Sequence, residues 1–186
     1  MKSKLYKQID RIIDSNIKIF TKAVLDNAPE QFWLCPSSSS GKYHPPEDQG
    51  EGGLIRHLLK ASEVAYNLAN FYNFSEVERD IVFSATMIHD IQKNGIPWGD
   101  KTDYTHGLIA FNWLEQFSSL SSKSDIIRMC VRYHMGRWTQ PQEEQHFALI
   151  PNQYELVVQL SDYMASRKSI SFLPNIELRE NIINYF

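Results

Sequence analysis

Cysteine is scarce in this chain: Cys35 and Cys130 are the only two in 186 residues. So sparse a pair excludes the disulfide-dense scaffold of small secreted domains, and without a Cys-x-x-Cys pattern it excludes a zinc ribbon. A basic excess is also missing. Lys+Arg number 19 against 22 Asp+Glu, a formal net charge of −3. That excludes a nucleic-acid coating protein, and no stable duplex binding is expected. A local basic site for a phosphate stays compatible with it. No window approaches the ~18 apolar residues of a membrane span. The charged start MKSKLYKQIDRIID lacks the apolar run of a signal peptide. These absences predict a soluble, cytoplasmic protein with reduced thiols and no membrane partner. Strict apolar–polar alternation is lacking, so no sheet is expected. The phosphate-cradling Gly-rich loop, the dinucleotide fingerprint and the Gly-x-Ser-x-Gly elbow are all absent.

What is present suits one globular domain with its own core: 42% hydrophobic, 22% charged and 12% aromatic residues. Leu5, Ile9, Ile12, Ile13, Ile17, Phe20 and Val24 follow helical spacing. They predict one helix over 3–25, ended by Asn27, Ala28 and Pro29, in an N-terminal helical extension of residues 1–35. A second helix is predicted over 54–71. Ser75 and Glu78 read as a capping box for a third, which runs to Ile88 and stops at His89-Asp90. Further helices are predicted over 104–117, 126–133 and 154–167, with a short one near 176–185. From Cys35 to Gly53 periodicity fails: four consecutive serines, Gly41, Pro45 and Pro46 make a long loop. Such a loop is either functional or a disordered insertion. The fold class is all-α, a single helical bundle with loops around its site.

The chemistry lies in the histidines. There are six: His44, His57, His89, His106, His134 and His146. His57 follows Gly52-Gly53, His106 precedes Gly107, and His134 stands two residues before Gly136. Asp90 follows an apolar helical run (SATMIHD), where a carboxylate is costly to bury unless it is paired or metal-bound. In chain order come Arg56-His57, His89-Asp90-Ile91-Gln92-Lys93, His106-Gly107, Tyr133-His134 and Ser161-Asp162. Four imidazoles and two carboxylates can hold two metals with one Asp bridging, and imidazole-rich sites favour Mn²⁺ or Fe²⁺ over Mg²⁺.

This order resembles the HD-domain superfamily of metal-dependent phosphohydrolases, in the subset with an H…HD…H…H…D pattern, over residues 52–168. The resemblance implies a helical HD core and assigns His57, His89, Asp90 and Asp162 to a first metal. It assigns His106 and His134 to a second, with Asp90 bridging. The run His89–Lys93 is similar to the family's HD-x-G-K stretch, with Gln92 where glycine is usual. It implies that Lys93 contacts the substrate phosphate. The implied reaction is hydrolysis of a phosphate ester or anhydride in a nucleotide, cyclic nucleotide or short oligonucleotide. Two cations would lower the pKa of a bridging water and stabilise charge in the transition state; Asp90 and Lys93 are the catalytic candidates.

Arg137, Arg167 and Lys168 are candidate phosphate contacts or exposed cations, and His44 is a substrate contact or lid residue. Trp98, Tyr104 and Trp138 either stack on a base or pack their loops. Ser161 is expected to orient Asp162 from behind, and His146 reads as surface. The Gly-Gly-Leu-Ile-Arg-His opening and the stretch from Leu160 to Lys168 are also similar to HD domains of bacterial exoribonucleases and cyclic-dinucleotide phosphodiesterases. A Gly-Tyr-Pro signature is not evident, so cyclic di-GMP is not assigned. Two rival classes share the ligand set: an HD-fold di-iron oxygenase of polyols or phosphonates, and a non-catalytic nucleotide-sensing module.

Overall fold

A computed structural model describes residues 1–170, and the helix expected near 176–185 lies outside the described residues. Among the described residues every regular element is helical. The order is α1 (Lys2–Ile9), α2 (Ser15–Asp26), α3 (Glu30–Leu34), α4 (Gly53–Phe71), α5 (Glu76–Ile88), α6 (His106–Leu114), α7 (Ser124–Arg132), α8 (Gln145–Ala148) and α9 (Gln153–Ala165), with short 3₁₀ turns between them. Among these, no helix is long and apolar enough to cross a membrane.

The single helix expected over 3–25 is two. Asp14 breaks it: its carboxylate accepts from the N–H groups of Asn16 and Ile17 and caps α2. The turn is also held from a distance, because Asp80 Oδ2 accepts from the N–H groups of Ile13 and Asp14. Leu5, Ile9, Ile17 and Phe20 join the same core as α4 and α5, so residues 1–35 pack as part of the bundle. The capping box at Ser75 and Glu78 is present. A second one, Asn152 with Glu155, opens α9. The helix expected over 104–117 tightens to a 3₁₀ turn at Glu115–Leu120.

Helix α4 is the axis; α5 and α9 pack along it, and α7 closes the other side of α5. Phe20, Phe32, Leu54, Leu58, Phe83 and Met87 are fully buried between these helices, each contributing about 1.5–3 kcal/mol of transfer free energy. The core thereby fixes the ends of α4, α5, α7 and α9, and those ends carry the histidines and aspartates.

Two glycines set how closely the elements approach. A Cβ on Gly53 would stand 1.9 Å from the carbonyl oxygen of Asp48, so glycine lets the long loop lie against the start of α4. A Cβ on Gly107 would stand 2.5 Å from the carbonyl oxygen of Arg132, so glycine lets α6 begin against the end of α7. The loop between α3 and α4 is tied down rather than loosely inserted. Ser37 N–H and Oγ both donate to the Asp48 carbonyl, and Gly52 N–H donates to Leu34.

Candidate metal centre

His89 caps the C-terminus of α5, His134 lies just past the end of α7, and His106 is the first residue of α6. All three are held the same way. The ring Nδ1 meets the backbone carbonyl three residues earlier: Thr86 at 2.8 Å, Val131 at 2.6 Å and Asp103 at 2.6 Å. Nδ1 therefore carries a proton and donates it, which leaves Nε2 as the outward-facing atom. His57 arrives from the first turns of α4 and Asp162 from the last turns of α9.

These atoms converge. His57 Nε2 stands 3.0 Å from Asp162 Oδ1, and His89 Nε2 is 3.5 Å from that same oxygen. His89 Nε2 is also 3.5 Å from Asp90 Oδ2. Asp90 Oδ1 faces the other way, 2.9 Å from His106 Nε2 and 3.6 Å from His134 Nε2. The Nε2 atoms of His106 and His134 are 3.0 Å apart. Asp90 thus separates two groups, His57–His89–Asp162 on one side and His106–His134 on the other, and reaches both.

Charge decides what this arrangement suits. His57, His89, Asp90, His106 and His134 are all buried, and His57 Nε2, His89 Nε2 and Asp90 Oδ1 have no hydrogen-bond partner. Burial pushes the His134 imidazole down to about 4, so it is neutral at pH 7. Its Nε2 lone pair then faces the Nε2 atom of His106 and a carboxylate oxygen. Lone pairs brought this close repel unless a cation lies among them. Nitrogen and carboxylate donors in this mixture suit divalent transition metals. The residues present therefore fit a metal pair: His57, His89 and Asp162 on one side, His106 and His134 on the other, Asp90 between.

Without a cation the balance falls to protons and to Lys93. Lys93 is 8% exposed and pairs with Asp90 Oδ2; it is a buried group rather than a surface cation. Burial works against charge on Asp90, but Lys93 and then His89 outweigh it and hold the carboxyl well below its usual range. Asp162 is held low in the same way, burial being overcome by His57 and His89. Burial also opposes charge on His89, and Asp90 and Asp162 overcome it, so its pKa is raised. A metal must displace the proton that His89 keeps. Its affinity is therefore expected to rise with pH above about 6.5, with about one proton released on binding. Metal titrations at pH 6.5 and 8, repeated in buffers of different ionisation enthalpy, check this; equal affinity and no buffer dependence would contradict it.

Gln92 is 2% exposed and stands in the turn where the family pattern has glycine. Asn73 is the sole non-glycine residue with positive φ among those described, so the turn needs no left-handed residue at position 92 and the substitution is accommodated. Ser161 does not orient Asp162; its hydroxyl donates to the Val157 carbonyl one turn back in α9. Trp98 packs on the core, Lys168 is exposed, and His146 is exposed with Nδ1 against the Glu143 carbonyl.

The centre lies in a cavity of about 760 Å³, within the usual range for small-molecule sites. Asp90, Lys93, His106, His134 and Asp162 line it, together with His44, Arg137, Tyr104, Trp138 and Arg167. His44 comes from the long loop, its ring 5.0 Å from that of His57. Burial, with His57 and Lys93 nearby, pushes its pKa down to about 3, so it is neutral at pH 7.

Three residues escaped the sequence reading: Asp48, Tyr163 and, also lining the cavity, Tyr43. Asp48, fully buried in the long loop, pairs at 2.5 Å with Lys60, one turn after His57 on α4. Donor atoms of His44, Asp48 and His57 lie within 4.8 Å of one another. Lys60 pairs directly with Asp48, so the Asp48 carboxylate already faces a cation. The spacing His57–Lys60 on one helical face was the available signal. Tyr163, exposed at the cavity mouth, was the second; its place beside Asp162 was the signal.

No family model matches the chain, and no curated protein or solved structure matches it.

Proposed function

We propose that this protein is an HD-type, metal-dependent phosphohydrolase acting on a small phosphorylated substrate. The observation that carries the reading is the convergence of four buried histidines and two aspartates, of which His106, His134, Asp90 and Asp162 line one cavity, with a buried lysine bound to the shared carboxylate. Divalent cations held there would lower the pKa of a water and supply positive charge to phosphoryl oxygens.

The chain's own residues do the rest. Asp90 presents one oxygen to each histidine group and fixes their separation. Carbonyls of Thr86, Asp103 and Val131 lock the ring tautomers, so each ring turns Nε2 toward the centre. Lys93 shares the cavity wall with Asp90. Once cations offset Asp90, the Lys93 ammonium would be free to bind a substrate oxygen. Arg137 and Arg167, also on the wall, are placed to hold further phosphate oxygens by bidentate bonds. The experiment is Mn²⁺-dependent hydrolysis of bis-(p-nitrophenyl) phosphate and of a nucleotide panel. Metal-dependent release of product supports the reading. Loaded protein that hydrolyses none of them would oppose it.

A further inference from the structure

One wall of the cavity is apolar, and the core does not account for it. Met135, Ala148, Leu149, Pro151, Leu156 and Leu160 line it. Among the described residues none of them belongs to the hydrophobic core or packs against it. All but Ala148 keep part of their surface accessible. Helix α9 shows the division. Val157 and Val158 join the core, while Leu156 and Leu160, one turn apart, line the cavity with Asp162. Residues four apart share one face of a helix, so this is a second apolar stripe beside the one that the core uses. Apolar side chains left out of a core and gathered in one cavity mark a binding surface.

The wall is continuous with the metal centre. Leu160 stands two residues before Asp162, and Met135 follows His134 directly. It also continues outward: Leu149 is 57% exposed, and its chain neighbours Phe147 and Ile150 are exposed to 54% and 82%. The polar groups beside the wall are already engaged. Gln159, between Leu156 and Leu160, commits its amide nitrogen to the carbonyls of Tyr133 and Ala148. Trp138 and Tyr163 lie against each other, 10° from parallel, with Arg137 and Arg167 over the rings. What the wall offers a ligand is aliphatic surface.

We propose that this wall binds an aliphatic chain, so that the substrate of the site is the phosphate ester of an aliphatic alcohol rather than of a sugar or a nucleoside. This rests on the phosphohydrolase reading for the place of the phosphate. In the reaction the oxygen of water bonds to phosphorus, the P–O bond to the alcohol breaks, and a water proton passes to the leaving oxygen. The products are the free alcohol and inorganic phosphate. The wall can be tested without turnover, because a phosphonate has a P–C bond in place of that P–O bond. Dissociation constants of methyl-, butyl- and hexylphosphonate with Mn²⁺-loaded protein are measured by titration calorimetry. Hydrolysis of hexyl phosphate is measured beside them.

Each methylene that reaches the wall should tighten binding by about fourfold, the transfer value of one buried CH₂. Leu149→Asn and Leu156→Asn should flatten that gradient, weakening hexylphosphonate more than methylphosphonate. Leu149 is exposed, so the fold tolerates its change, and circular dichroism checks both variants. A soluble ester and a lipid headgroup share this chemistry. Sedimentation with phosphatidylcholine vesicles containing phosphatidic acid separates them: pelleting that Leu149→Asn abolishes assigns the lipid source, and no pelleting assigns the soluble one. Equal affinities across the series, or a gradient that both variants keep, would overturn the proposal and leave the hydrolase reading intact. A gradient in a protein that hydrolyses no phosphate ester would leave the wall standing and overturn the hydrolase instead.

Discussion

Asp90→Ala should lose both metal equivalents and reduce metal-dependent hydrolysis by at least about 10³-fold, the upper range for removing a single transition-state contact. The expectation is large because Asp90 serves both halves of the centre. Its Oδ1 faces His106 and its Oδ2 faces His89 and Lys93. Without it, the two histidine groups lose the carboxylate that lies between them, and Lys93 is left as a buried cation. Asp90→Asn keeps the volume and separates loss of charge from loss of fold. Elemental analysis and thermal melts of both variants supply the check. Retained metal stoichiometry in either variant would contradict the bridging role.

Lys93→Met should do the opposite to metal: retain it, yet lower kcat by about 10²–10³-fold, as expected for a charge that acts on the reacting phosphate. The same change has a signature in stability. In the metal-free protein it breaks a buried pair with Asp90, whose carboxylate is 1% exposed, and the expected loss is about 3–5 kcal/mol. Bound cations would take over the neutralisation of Asp90, so added Mn²⁺ should recover most of it. Melting curves with EDTA and with Mn²⁺ read the stability, and steady-state kinetics read turnover. Unchanged kcat would remove Lys93 from the chemistry. Equal destabilisation in both conditions would mean that the metals do not meet Asp90.

Much of this cluster was legible in residue order because local signals coincide with its residues. Helix α5 begins at a readable capping box and ends where its apolar run meets His89-Asp90. Gly53 and Gly107 mark close approaches that a Cβ would forbid, and they stand near His57 and His106. The break between α1 and α2 was not legible, since it depends on Asp80, 66 residues from the Asp14 N–H it accepts. The burial of Lys93 was not legible either, because a lysine after a helix end ordinarily points into water. Asp48 looked like one more polar residue in a loop, and only the fold brings it beneath α4 against Lys60.

The central claim is that four histidines and two aspartates form one two-metal centre. It is tested most directly by the metal content of the protein purified without added metal, followed by titration with Mn²⁺ and Fe²⁺ after chelation. The account predicts about two divalent ions per chain, bound with a shared dependence on Asp90. A chain that carries no metal and takes up neither ion would contradict it.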